Sequence, residues 1–190
     1  MKVILFSGPD IPYSCICNTS TNKLLKTFET NPRLESTLKS LDMPILNFLE
    51  VPVSESDQKA QVKLMLPPDF DSGKKYPLVV YAYGGPGYQA VNKKFDWNEI
   101  GTFLAGSANV IYAIVDPRGS GYQGEDWRFA VYKKFGSAEV QSLTQVTKHL
   151  QVKHTVKLDR HSLQFLGHSN IGELKPSKND TFGNYRGFEI

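Results

Sequence analysis

The sequence predicts an α/β protein with a mostly parallel sheet. Three apolar segments of strand length, 78–83, 110–115 and 163–166, of which the first two are continuous, are separated by segments with helical patterns. Continuous apolar strands are typical of a sheet covered on both faces, and alternating strands and helices are typical of parallel sheets. A length of 190 residues suits one domain, or one domain with a partial neighbour. The hydrophobic share of 40% is enough to form a sizeable core.

The first 66 residues contain shorter elements separated by turn-forming residues. Apolar runs flank the turn cluster SGPD and predict two strands, while leucines at helical spacing predict a short helix. Two more strands follow, and strict alternation of apolar and polar residues in the second predicts one buried face. The expected elements are strands at 2–6 and 13–17, a helix at 33–41, and strands at 46–53 and 60–66.

The second part of the chain carries longer patterns. Helices are expected between and after the apolar strands, at 97–104, 125–135 and 138–152. In the last of these, apolar residues recur every three or four positions and form a stripe that would face a core. Residues 173–190 show no periodicity, which predicts a disordered or loosely held tail.

Composition excludes several classes of function. Twenty-two Lys and Arg residues stand against 19 Asp and Glu residues, and this mild, dispersed charge indicates no nucleic-acid partner. No run of 18 apolar residues occurs, so no membrane-spanning helix is expected, and the apolar start is too short for a signal peptide. No metal-ligand spacing, phosphate loop or dinucleotide fingerprint is found, so neither a metal nor a cofactor is expected.

The two cysteines, Cys15 and Cys17, share one face of an expected strand. Their Cα atoms would be about 6.5–7 Å apart, at or beyond the reach of a disulfide. We therefore interpret them as small buried hydrophobic residues without a bridge between them.

The ends of the three apolar strands carry motifs. The segments YPLVVYAYGGPG and VDPRGSGYQG, and a strand that leads into GHS, follow one another along the chain. In this order they resemble the dipeptidyl peptidase IV branch of the prolyl oligopeptidase family, serine peptidases built from an α/β-hydrolase domain and a β-propeller. The resemblance implies that residues 1–30 are the C-terminal remnant of a propeller. Residues 31–172 would be the N-terminal half of the hydrolase domain, in truncated form, and 173–190 a non-homologous tail.

The same resemblance implies an activity and its residues. Enzymes of this family release N-terminal dipeptides whose second residue is proline or alanine, and some members only bind other proteins. By position, Ser169 matches the nucleophile and Tyr83 matches the tyrosine that donates a hydrogen bond to the oxyanion. Arg118 would either contact substrate or brace the glycine-rich loop, and Trp127 and Tyr122 would pack beneath that loop.

The surroundings of Ser169 argue against catalysis by these 190 residues alone. A nucleophile turn needs a second glycine where Ile171 stands, and Pro176 opposes the helix that should follow. In this fold the catalytic Asp and His follow the serine. After Ser169 the sequence has one aspartate, Asp180, and no histidine, so the triad Asp and His have no candidates. The chain is predicted to be catalytically incomplete, and the alternative is a non-catalytic relative that acts as a protein-interaction module.

Partners and location follow from the family. A peptide is the expected substrate, and a dimer or a complex with a full-length relative is compatible with the sequence. An uncovered sheet edge after the third apolar strand predicts a poorly soluble monomer. Two glycosylation triplets, at Asn18 and Asn179, favour a secreted or cell-surface protein, although such triplets also arise by chance.

Overall fold

A computed structural model describes residues 1–53, 58–152, 157–167 and 186–189, and beyond residue 151 it describes the backbone alone. The chain forms two compact units. Unit 1 contains Met1–Met43 and Lys93–Glu99, and unit 2 contains Pro44–Asn92 and the described residues from Ile100 onward. The assignment of residues 1–30 to a propeller stays a prediction.

The described residues form nine strands and four helices. In order they are β1 (Lys2–Phe6), β2 (Tyr13–Cys17), β3 (Leu24–Glu29), α1 (Pro32–Lys39), β4 (Ile45–Pro52), β5 (Lys59–Leu66), β6 (Lys75–Ala82), α2 (Glu99–Ser107), β7 (Ile111–Asp116), α3 (Glu125–Phe129), α4 (Ala138–Val152), β8 (Lys157–Gly167) and β9 (Arg186–Glu189). Across the described residues, no helix combines the length and the apolar character that crossing a membrane requires.

Unit 1 is built on a three-stranded antiparallel sheet in the order β1-β2-β3. Cys15 and Cys17 on β2 are buried, as expected, and their free thiols lie 3.9 Å apart, Sγ to Sγ. Strand β3 was not predicted. All six of its residues are exposed, so neither face imposes the alternation of apolar and polar residues by which strands are recognised.

Unit 2 is built on a six-stranded sheet in the order β4-β5-β7-β6-β8-β9. The neighbours β7, β6, β8 and β9 run parallel, whereas β4 and β5 pair antiparallel and extend the sheet on one side. The predicted α/β class with a mostly parallel sheet is thereby confirmed. All six residues of β7 are buried, which explains its continuous apolar sequence. Helix α4 contributes Leu143, Val146 and Leu150 to the core of this unit.

Strand β8 begins at Lys157 rather than at 163, and β5 and α3 also differ from their predictions. Strand β5 is buried on both faces rather than one, because Lys63 is only 4% exposed, and its long alkyl stem can pack where a shorter polar side chain could not. Helix α3 ends at Phe129, not at 135. Left-handed backbone at Lys133 (φ 56°) and at Gly136 (φ 82°) shows that the chain beyond Phe129 does not continue as a helix to 135.

Four residues of the segment that was expected to be disordered or loosely held form a strand. Arg186–Glu189 forms β9, which pairs in parallel with β8 through the register Gln164↔Arg186 to Gly167↔Glu189. One side of β8 is bonded to β6, and its other side offers unpaired backbone groups that an extended segment can satisfy. The rest of the tail lies outside the described residues.

The core makes a quantitative prediction at two isoleucines that each begin a strand. Ile111 is 1% exposed and Ile45 is 46% exposed. Ile111→Ala should lower the free energy of unfolding by about 2–5 kcal/mol, because it removes fully buried methyl groups and leaves a cavity. Ile45→Ala should cost only about 1 kcal/mol, because that side chain is partly solvated already. Urea unfolding of both variants tests this, and equal losses would contradict the assigned core.

Candidate functional site

Three strands of unit 2 end in one row of the sheet. Ala82 at the end of β6 pairs with Val115 of β7 on one side and with Gly167 of β8 on the other. The next residues along the chain are Tyr83, Asp116 and the start of the segment that contains Ser169. The carboxyl ends of parallel strands are where such sheets bind ligands. The register therefore places Tyr83 at the end of the strand next to the one that leads to Ser169.

Several predicted site residues lie outside the described part of the chain. Ser169 is two residues beyond Gly167, the last described residue of β8. Ile171, Pro176 and Asp180 also belong to the segment that the structure does not describe. The sequence-based predictions for the nucleophile turn and for the missing triad partners therefore stay predictions.

Tyr83 is half-buried and its ring is tightly confined. The rings of Tyr83 and Tyr88 are 4.4 Å apart between centroids, with planes inclined by 54°. A Cβ atom at Gly85 would lie 2.3 Å from Cε1 of Tyr83, so the ring occupies space that only glycine leaves free. The amide of Tyr88 donates to the carbonyl of Gly85 at 3.0 Å and closes the turn. These contacts limit the positions that the Tyr83 ring can take.

The loop after β7 packs backbone to backbone against the loop that carries Tyr88. The amide of Gly121 donates to the carbonyl of Tyr88 at 2.8 Å. A Cβ atom at Gly121 would lie 2.7 Å from the carbonyl carbon of Gly87, so a side chain there would force the two loops apart. Gly119 has a φ of 102°, which favours glycine for a conformational reason. In the DPRGSGYQG motif, Gly121 thus lets the two loops pack closely and Gly119 lets the backbone turn.

Asp116 anchors the loop that begins at Tyr83 (the Tyr83 loop) at residues 90 and 91. Its side chain is 2% exposed, and its two carboxylate oxygens accept hydrogen bonds from the amides of Ala90 at 2.8 Å and Val91 at 2.9 Å. Burial raises the pKa of this carboxyl above its usual range, and the two backbone hydrogen bonds act in the opposite direction. The sequence analysis did not single out Asp116. The available signal was an acidic residue that closes a fully apolar strand, which needs a partner for its charge.

Arg118 braces the glycine-rich loop against helix α4. Its Nε atom donates to Oγ of Ser142 at 3.1 Å. Its Nη2 atom donates to Oε1 of Gln141 at 2.6 Å and to the carbonyl of Ala138 at 3.3 Å. These contacts fit the bracing role that the sequence analysis considered, and a role in substrate binding stays a prediction.

The two aromatic residues expected beneath this loop behave differently. Trp127 is buried, and its Nε1 atom donates to Oγ of Ser120 at 2.9 Å, as expected for a residue that supports the loop. The expectation for Tyr122 is wrong, because its side chain is 83% exposed. Its backbone is left-handed (φ 64°), which turns the side chain out of the loop into solvent.

A tyrosine hydroxyl can donate a hydrogen bond to a developing negative charge. Burial raises the pKa of Tyr81, which lies two residues before Tyr83, and the nearby Tyr88 and Tyr83 raise it further. The Tyr81 phenol is therefore protonated at neutral pH. In the region of the chain that is described, no group of three His, Cys, Asp or Glu side chains is arranged to hold a metal ion.

The hydrogen bonds of Asp116 predict how the loop responds to substitution. Asp116→Asn keeps one acceptor oxygen and turns an NH₂ group toward the second backbone amide. Losing a hydrogen bond to a charged group costs about 1.5–3 kcal/mol, so the Ala90 and Val91 amides should exchange with solvent about tenfold faster or more. Hydrogen exchange followed by NMR measures this, with amides of α4 as the internal reference.

A matched control is Asp126→Asn, since Asp126 is exposed in the first turn of α3. It makes the same change of charge and should leave the exchange of both amides unchanged. Equal exchange rates in the Asp116→Asn variant and the unmodified chain would show that Asp116 does not hold this loop.

Because the pKa of Asp116 is raised in the folded chain, its contribution to stability should fall as the pH rises. As the pH rises above the ordinary value of 3.8, the unfolded chain releases the Asp116 proton before the folded chain does. The unmodified chain should then lose stability relative to Asp116→Asn, by at most about 1.4 kcal/mol per pH unit, until the pH passes the raised pKa. Urea unfolding at several pH values measures the difference. A difference that moves in favour of the unmodified chain as pH rises would contradict the assigned shift.

Comparison with known proteins gives the same family as the motifs. Residues 94–173 match the prolyl oligopeptidase family. The human protein named prolyl endopeptidase FAP is 38% identical over 146 residues, which are 76% of this chain and 19% of that protein. Dipeptidyl peptidase 4 of Trichophyton tonsurans is 34% identical over 151 residues, 78% of this chain and 19% of that protein. The chain thus spans about a fifth of the length of these relatives.

Solved structures give the same fold. Dipeptidyl peptidase 4 of Porphyromonas gingivalis superimposes with a TM-score of 0.75 at 25% identity, covering 90% of this chain and 23% of that one. An acylaminoacyl peptidase of Pyrococcus horikoshii gives a TM-score of 0.61 at 19% identity, covering 87% and 24%, and shows the likeness of fold alone. Together with the motif-bearing strand ends, these similarities show that the chain belongs to the prolyl oligopeptidase family of serine peptidases, with relatives named dipeptidyl peptidase 4.

Proposed function

We propose that these residues form the half of a serine peptidase domain that supplies the oxyanion tyrosine and the strand leading to the nucleophile. The observation that carries the proposal is the register of Ala82 with Val115 and Gly167, which brings Tyr83 to the strand end beside the approach to Ser169. The relatives' names, prolyl endopeptidase and dipeptidyl peptidase, support a peptide substrate. The proposed reaction is release of N-terminal dipeptides with proline or alanine in second place.

In this proposal each residue has a separate task. The hydroxyl of Ser169 attacks the scissile carbonyl, and negative charge develops on the carbonyl oxygen. The phenol of Tyr83 donates a hydrogen bond to that oxygen, and a donor held in place before the reaction stabilises the transition state. Asp116 and Gly121 keep the Tyr83 loop in position through the backbone contacts described above.

We further infer that these 190 residues alone do not hydrolyse peptides. A serine hydroxyl without a general base is a poor nucleophile at neutral pH, and no histidine follows Ser169 in the sequence. Asp180 is the one aspartate after Ser169, and without a histidine it has no base to orient, so neither triad partner is assigned. Loss of the base from such a triad costs several powers of ten in rate.

The inference of inactivity is tested directly on the 190-residue chain. With a Gly-Pro chromogenic amide we expect no turnover above the Ser169→Ala variant, and with a fluorophosphonate probe we expect no labelling. The two assays fail independently, because labelling needs only an activated serine whereas turnover also needs substrate binding. Turnover or labelling that disappears in Ser169→Ala would contradict the inferred inactivity.

If turnover is found, the role of Tyr83 becomes measurable. Removing an oxyanion donor lowers kcat by about 10²–10³ with little change in KM. Tyr83→Phe should show this loss, whereas Tyr88→Phe removes a hydroxyl from the partner ring and should not. Equal kcat values for both variants would remove Tyr83 from the proposed mechanism.

A non-catalytic interaction module is the second candidate function. It is favoured by β3, where the large apolar residues Leu24, Leu25 and Phe28 are at least half exposed. Co-purification with a full-length relative, together with inactivity in both assays, would support it. A secreted or cell-surface location belongs to the same proposal, since Asn18 of one glycosylation triplet lies in an exposed turn, where its Oδ1 accepts from the amides of Ser20 and Thr21.

A further inference from the structure

Unit 1 contains a cleft that the peptidase function does not use. The cleft exists because the segment Lys93–Glu99 crosses the turn between β1 and β2. The amide of Phe95 donates to the carbonyl of Ser7 at 2.6 Å. Gly8, with a φ of 139°, permits the crossing, since a Cβ atom there would lie 2.2 Å from the Phe95 nitrogen. This close crossing places the aromatic side chains of the segment beside those of the first two strands.

The cleft has a volume of about 540 Å³ and a largely aromatic lining. Phe6 and Tyr13 stack with ring centroids 4.9 Å apart and planes inclined by 18°. Phe95 and Trp97 meet edge to face, with centroids 6.4 Å apart. Both pairs line the cleft, so it offers several π faces to a ligand within one small volume.

The polar groups of the cleft are acidic. Asp10 and Glu35 both line it. Glu35 is paired with Lys39, Oε1 to Nζ at 2.6 Å, so its charge is largely balanced. The Asp10 carboxylate has no hydrogen-bond or ion-pair partner among the residues that the structure describes. The cleft therefore carries one negative charge that no neighbouring cation balances in the described region.

We propose that this cleft binds a substituted ammonium ion. Aromatic faces attract organic cations through the negative charge density of the ring, and alkyl groups on the nitrogen reduce the cost of leaving water. Asp10 adds Coulombic attraction. A neutral apolar ligand would satisfy the rings alone, and an anion would be repelled by Asp10.

Choline is the probe that tests this chemistry, and 3,3-dimethylbutan-1-ol is its uncharged isostere. The 190-residue chain has two tryptophans, of which Trp127 is buried in unit 2, so ligand binding at the cleft should change the fluorescence of Trp97. At constant ionic strength we expect choline to bind about five- to thirtyfold more tightly than the isostere, since a cation–π contact contributes about 1–2 kcal/mol. The Trp97→Phe variant should lose the fluorescence change.

Matched variants separate charge from packing. Asp10→Asn should weaken choline binding by up to about fivefold and leave isostere binding unchanged, as expected for an ion pair near the surface. Asp42→Asn makes the same change of charge elsewhere in unit 1 and should alter neither. Tyr13→Leu should weaken choline more than the isostere. Circular dichroism checks that each variant folds.

Three outcomes would overturn the proposal. They are equal affinity for choline and its isostere, equal choline affinity in Asp10→Asn and Asp42→Asn, and the absence of any fluorescence change with choline. The first would mean an apolar cleft without preference for charge. Peptidase assays play no part in this test, so its result is distinguishable from that for the proposed function.

Discussion

The buried carboxylate of Asp116 ties the position of Tyr83 to the sheet. Removing a carboxylate from water is unfavourable, and here it is tolerated because each oxygen accepts one backbone amide, from Ala90 and from Val91. The raised pKa shows that these hydrogen bonds only partly offset the burial. Because burial and hydrogen bonding largely offset each other, the Asp116 carboxylate contributes little to global stability. Its hydrogen bonds instead fix the position of a long loop, which they attach to the end of β7, one strand away from the end of β6.

Three of the glycines around this carboxylate are needed for the same geometry. Gly85 leaves room for the Tyr83 ring, and Gly121 lets the loop after β7 touch Gly87 through backbone atoms. Gly119 turns the chain with a backbone angle that other residues avoid. A motif that looks like a flexible, glycine-rich loop in the sequence is therefore a tightly packed support. The side chain of Arg118 also holds this loop, because it donates hydrogen bonds to Ser142 and Gln141 of α4.

The sequence predicted the elements whose pattern follows from burial in a core. It did not predict features that depend on exposed strands, on single backbone angles or on contacts between distant residues. The apolar runs of β6 and β7 and the stripe of α4 were found because a core demands periodic or continuous apolar residues. Strand β3 is exposed on both faces and left no such pattern. Helix α3 does not continue to 135 because the backbone of Lys133 is left-handed, a conformation that a lysine in the sequence does not predict. For the site, the motifs placed Tyr83 at a strand end, whereas the role of Asp116 depends on amides 25 and 26 residues away in sequence, which no local pattern contains.

The proposed function separates two requirements of serine peptidase catalysis that are usually met together. A preorganised oxyanion donor stabilises charge only after a nucleophile has created it, so in the proposed mechanism Tyr83 has no effect on rate without an activated Ser169. The described contacts that hold the loop after Tyr83 lie within β6, β7, α4 and the loops between them. Contacts away from the proposed nucleophile turn thus help to hold this loop, and the presence of a tyrosine loop in a relative of this family is by itself no sign of an active enzyme.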